Sequence, residues 1–154
     1  MGKALNVAQN LVNLSIERAK KTGDNSYLIT FYKMHKLLYY AQGISLIKNG
    51  RVLFDEDIHA YHCGPFIEEV SDFLLTNVDN PAKEKFATPR LSDEDMETLE
   101  KTISFRGQLD GRTLGIETKN RDAWKNAIAR EEKAVISVQD IQDDVSTLIE
   151  ESGD

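Results

Sequence analysis

The sequence predicts a mainly α-helical, α+β fold: a compact bundle of six to seven helices around one central apolar helix, with a single short β-hairpin. Three observations carry this reading. Apolar residues recur at i, i+3, i+4 and i+7 along most of the chain. One stretch, Leu37 to Ile47, is apolar almost all round, and such a helix is normally surrounded by others. Short apolar runs flank an acidic turn between Arg51 and Tyr61, the signature of a hairpin.

The elements follow in order. Residues 4–21 place Ala4, Val7, Ala8, Leu11, Val12, Leu14, Ile16 and Ala19 at helical spacing. Arg18, Lys20 and Lys21 fill the last turn, where cations suit the helix dipole, and Gly23 follows as a stop. A second helix runs from about Thr30 to Lys48, punctuated by Gly50. Gly43 inside it costs about 1 kcal/mol of propensity, and a close helix–helix crossing would account for it. Arg51-Val52-Leu53-Phe54 and Ile58-His59-Ala60-Tyr61 read as two strands turning at Asp55-Glu56-Asp57. Pro65 suits the first position of another helix, where its missing N–H would be unpaired anyway. Glu68 and Glu69 fall in that helix's first turn, and Phe66, Val70, Phe73 and Leu74 form its buried stripe. Residues 77–90, with Asn80-Pro81 and Thr88-Pro89, read as an exposed loop. Ser92-Asp93-Glu94-Asp95 opens a helix with a near-capping-box pattern, its inner face formed by Met96, Leu99 and Ile103. A short helix surrounds Leu114 and Ile116, and another begins at Asp122-Ala123-Trp124. The last opens at Ser137 and aligns Val138, Ile141, Val145, Leu148 and Ile149, with residues 151–154 fraying.

Composition narrows the function classes. The 154 residues suit one domain, 1–154, and a chain of this size buries about 70% of its unfolded surface. A single cysteine excludes an internal disulfide and points to a reducing, cytoplasmic setting. No apolar run approaches the length of a membrane span, and Met1 to Asn6 lacks the apolar core of a signal peptide. Net charge is −7 but unevenly placed: residues 1–48 carry seven Lys/Arg against two Asp/Glu, whereas residues 134–154 carry six acids and no base. An acidic whole argues against a domain that coats nucleic acid.

Candidate chemistry is sparse. His59, His62 and Cys63 are close in sequence, but strand alternation sends His62 to the opposite face, and a second cysteine for a zinc set is lacking. A hydrolase or transferase built on Cys63 or His62 would need a partner met in space, and Cys63 has no neighbouring Lys or Arg to favour its thiolate. Gly107, Gly111 and Gly115 have neither P-loop nor dinucleotide spacing. Asp55-Glu56-Asp57 lacks the pattern of a calcium loop, and the adjacent pairs Glu68/Glu69 and Asp143/Asp144 point apart on a helix. The sequence therefore predicts no catalytic residue, no metal and no cofactor. Two constellations remain. Lys33, Lys36 and Tyr40 share one side of the central helix, either capping the core with their stems or forming a contact patch. Trp124 near Lys119, Arg121 and Lys125 reads as a core anchor.

One resemblance spans most of the chain. Tyr32-Lys33-Met34-His35-Lys36-Leu37-Leu38-Tyr39-Tyr40-Ala41-Gln42-Gly43, then Arg51 to Phe54, then Ile58 to Phe66 with Gly64-Pro65, resembles the signature of the SocA-like Panacea antitoxin domain family. Tyr61 and Cys63 stand where that family usually has tryptophan and tyrosine, Lys119 stands for a histidine, and Ala123 for a proline. The resemblance implies a non-enzymatic antitoxin that neutralises a cognate protein toxin, encoded by an adjacent gene, through direct binding. An alternative within the same fold is a phage-associated or regulatory binding protein, or an adaptor that hands a client to a protease. Neither membrane association nor direct DNA binding is expected, and the oligomeric state is open. The expected partner surface comprises Lys33, Lys36 and Tyr40, the acidic tip Asp55, Glu56 and Asp57, and the junction residues Tyr61, His62, Gly64 and Pro65.

Overall fold

The computed structural model describes residues 3–73 and 81–152. Among them are six α-helices: α1 (Ala4–Thr22), α2 (Phe31–Asn49), α3 (Asp93–Arg106), α4 (Gly111–Lys119), α5 (Asp122–Arg130) and α6 (Val138–Glu151). Strands β1 (His59–Tyr61) and β2 (Gly64–Phe66) lie between α2 and α3 and form the antiparallel hairpin. The fold is mainly α with one small hairpin, as the hydrophobic pattern requires. Leu74, residues 77–80 of the expected loop, and Met1, Gly2, Gly153 and Asp154 lie outside the described residues.

Helix α2 is the axis. Every residue from Lys33 to Leu46 is buried, and α3, α4 and α6 pack around it. The tightest approach is at Gly43: a Cβ placed there would meet the side chain of Val145, 2.6 Å from its Cβ, so α6 crosses where α2 has no side chain. Local capping explains where helices start. Thr30, Ser92, Asp110 and Ser137 each accept a hydrogen bond from the backbone N–H three residues on. Gly23 and Gly50 end α1 and α2 in the left-handed region, at φ 73° and 69°.

Three sequence expectations change. Arg51 to Phe54 is not a strand, because its backbone is held by side chains of α2. Gln42 Oε1 accepts from Leu53 N at 2.7 Å and Phe54 N at 3.3 Å, Gln42 Nε2 donates to Phe54 O at 3.0 Å, and Ser45 Oγ donates to Arg51 O at 2.8 Å. Leu53 and Phe54 are both buried, so the segment lacks the alternation of a sheet. The hairpin instead turns at His62-Cys63, pairing His59 with Phe66, Ala60 with Pro65 and Tyr61 with Gly64.

Pro65 consequently lies in β2 and does not open a helix; among the described residues a 3₁₀ turn, Glu68–Val70, follows. Proline is tolerated there because its partner Ala60 turns its hydrogen bonds the other way. Ala60 N donates to Ala134 O at 2.8 Å, and Ala60 O accepts from Lys133 N at 3.0 Å. Finally, Val138 and Ile116 are exposed, at 46% and 54%, whereas Ile141, Val145 and Leu148 form the buried stripe of α6.

Candidate functional site

Helix α2 buries polar groups as well as apolar ones, and each has a distinct environment. Lys33 Nζ donates to three backbone carbonyls, Ser26 O at 2.6 Å, Leu28 O at 3.3 Å and Gly107 O at 2.5 Å. Burial brings its pKa down to about 8, against the pull of Asp110 and Asp24. Tyr39 OH donates to Asp144 Oδ2 at 2.5 Å, and Arg121 Nε donates to the same carboxylate at 2.8 Å. The adjacent Tyr40 repeats the arrangement with Glu117, which also accepts from Arg106 Nε at 2.8 Å. Burial first, then these carboxylates, raise both phenols and keep them protonated donors. Tyr39 thus ties α2 to α6, and Tyr40 ties it to α4.

His35 is only half satisfied. Its Nδ1 accepts from Ile67 N at 3.1 Å, so the ring proton sits on Nε2, a buried atom without a hydrogen-bond partner among the described residues. The ring stacks on Phe66 at 4.2 Å and meets Phe31 edge-on at 5.1 Å. Burial, then the charge of Lys36, lowers its pKa to about 3.

Lys36 opens onto a groove of about 640 Å³ between the start of α2, the hairpin turn and α4. It is lined by Tyr32, Cys63, Gly115 and Ile116 and by the charged residues Asp110, Arg112 and Lys119. Lys36 is only 3% exposed. Two glycines make room for it: a Cβ on Gly64 would stand 3.3 Å from Lys36 Cε, and one on Gly115 would stand 3.6 Å away. Gly64 adopts φ 125°, which side chains rarely take. Lys36 Nζ lies 5.4 Å from the Tyr32 ring centroid and has no hydrogen-bond acceptor or ion-pair partner among the described residues. Burial, then the like charge of Lys119, lowers its pKa, partly offset by Cys63.

A chain match decides the family. The model of the family described as antitoxin SocA-like, Panacea domain, matches residues 34–125. The chain belongs to that family. No match was found among curated proteins or among solved structures. Membership gives the protein an antitoxin-type role, and the geometry explains the Panacea run residue by residue. Leu37, Leu38 and Ala41 are core, Tyr39 and Tyr40 are hydrogen-bonded fasteners, Gln42 clamps the 53–54 backbone, and Gly43 admits α6. Lys36 is the buried lysine of the run that lines a groove.

The expected partner residues are scattered over this Panacea domain. Lys36 and Gly64 are brought together at the groove, beside the hairpin that carries Tyr61, exposed His62 and buried Pro65. Tyr61 OH donates to Glu68 Oε2 at 2.8 Å, its ring stacks on Phe66, and Trp124 Nε1 donates to Tyr61 O at 2.9 Å. Lys33 and Tyr40 lie in the interior with the partners described above. Asp55, Glu56 and Asp57 line a separate groove of about 190 Å³ with Val135 and Val138. Glu56 Oε1 there accepts from Lys3 N at 3.0 Å and Ala4 N at 3.1 Å, capping α1. Sequence reasoning overlooked Tyr32, Arg112, Gly115, Ile116 and Lys119 as a group. One signal was present: Ile116 falls off the Leu114–Thr118 stripe, an apolar residue on the outer face of a short helix. Among the described residues no cluster of three or more His, Cys, Asp and Glu is placed to hold a metal ion, and no helix is long and apolar enough to cross a membrane.

Proposed function

We propose that this chain is the antitoxin of a toxin–antitoxin pair and neutralises a cognate protein toxin by direct binding, not by chemistry. The observation that carries the reading is the family match over residues 34–125. Supporting it, His35 is buried with its Nδ1 occupied by Ile67 N–H. The contact surface centres on Tyr61 and His62 of the hairpin and the groove beside them, with Asp55, Glu56 and Asp57 as a second, acidic region, while buried Gly64 and Pro65 shape the turn. Lys33 and Tyr40 act from beneath by fixing α2 against its neighbours.

The test is a growth assay with the product of the adjacent gene. Expressed alone it arrests growth, and co-expression with this chain restores growth and yields a complex that purifies at fixed stoichiometry. A neighbour that is harmless alone, or rescue without a complex, overturns the reading.

A further inference from the structure

Lys36 is an unusual place to leave a positive charge. It is almost wholly buried, it lies next to Lys119, and no carboxylate among the described residues pairs with it. Three other buried polar ends of α2 are matched, Lys33 by three carbonyls and Tyr39 and Tyr40 by carboxylates. A desolvated ammonium without an anion is costly, and a pair that forms only on binding would relieve it. Gly64 and Gly115 enclose the stem and leave the Nζ end toward the groove.

We propose that this groove is a carboxylate receptor, in which Lys36 Nζ takes an acidic side chain of a partner-protein segment while Tyr32 and Ile116 cover that segment's neighbouring apolar residue. The proposal rests on the antitoxin reading for the partner's identity and on the groove alone for its chemistry. Charge complementarity selects the occupant: Lys36, Arg112 and Lys119 outnumber Asp110, the single carboxylate in the lining. The walls favour a peptide over a phosphate. Tyr32 and Ile116 are 50% and 54% exposed, an apolar surface a phosphate would not use. The N-terminus of α4, the other natural phosphate site at this groove, is already taken by the carboxylate of Asp110, which accepts from Thr113 N at 2.8 Å.

Two measurements on the full chain test it. First, the Lys36 ¹³Cε resonance, assigned by its loss in Lys36→Met, is followed while adding N-acetylated, C-amidated Leu-Glu-Leu, its Leu-Gln-Leu counterpart, or inorganic phosphate. The Glu peptide is expected to shift it saturably and the Gln peptide to leave it unmoved. Equal shifts from both peptides, no shift from either, or saturation by phosphate in preference to the Glu peptide overturns the proposal. Second, affinity for the neighbouring gene product is measured for wild type, Lys36→Met and the surface variant Lys119→Glu, each checked for a melting temperature no lower than that of wild type. Both variants are expected to bind roughly 10- to 100-fold more weakly, the range of a charge-assisted hydrogen bond. Wild-type affinity in both overturns the receptor while the antitoxin reading stands. A neighbour that binds no form of the chain overturns the antitoxin reading, and the peptide titration then decides the receptor by itself.

Discussion

Acidification should weaken this fold through His35, and the size of the effect follows from its surroundings. The folded ring sits at about pKa 3, depressed first by burial and then by Lys36, against about 6.5 in the unfolded chain. Geometry agrees with the direction. A second proton would have to sit on Nδ1, which already accepts from Ile67 N at 3.1 Å, so two donors would face each other. Because the folded pKa is the lower one, the unfolded chain takes up the proton first. The stabilisation is complete above about pH 6.5 and is lost as the pH falls toward 3. Each pH unit in that window is worth about 1.4 kcal/mol, so going from about pH 7 to about pH 5 removes about 2 kcal/mol. The assay is urea unfolding followed by circular dichroism at several pH values, for wild type and His35→Asn. Asparagine offers Oδ1 to the Ile67 N–H without titrating, and carboxylates common to both proteins cancel in the comparison. The same pH slope in both proteins would refute the reasoning.

Further predictions concern α2. Gln42→Leu strands Leu53 N, Phe54 N and Phe54 O in the interior; a loss of about 2–4 kcal/mol is expected in urea, with faster hydrogen exchange at the Leu53 and Phe54 amides. Tyr39→Phe removes the bond to Asp144 but leaves that carboxylate its Arg121 partner, so the expected loss is about 1 kcal/mol, read from the urea midpoint. Gly43→Ala gains about 1 kcal/mol of helix propensity but pushes a methyl into Val145, at about 1–3 kcal/mol of overpacking. The melting temperature should therefore fall; a rise would mean that the α2–α6 crossing yields freely.

Helix positions were legible because their causes are local. Thr30, Ser92 and Ser137 bond an amide three residues away, and Gly23 and Gly50 stop their own helices. Even the α2–α6 crossing left a trace, a glycine in a buried helix. The hairpin was misplaced by a few residues for a nonlocal reason. Val52 to Phe54 has strand composition, but Gln42 satisfies its backbone from another element, and Ala60 bonds to residues 133–134 far along the chain. At the candidate site, the shared face of Lys33, Lys36 and Tyr40 could be read, but not their different fates. Lys33 meets Gly107 O and Tyr40 meets Glu117, partners 74 and 77 residues away, whereas Lys36 meets two glycines and a groove.

The sequence by itself thus determined the mainly helical class, the central role of α2, most of the helix starts and the family resemblance. The first three rest on hydrophobic patterning and on contacts within a turn or two of chain, and the last on the run of residues from Tyr32 to Phe66. Tertiary structure decided which buried polar residues of α2 are fasteners and that Lys36 lines a groove, because that depends on what α3, α4, α6 and the hairpin bring against each side chain. Lys36 and its neighbours become a site only when Gly64 and Gly115, from separate elements, close around one lysine stem.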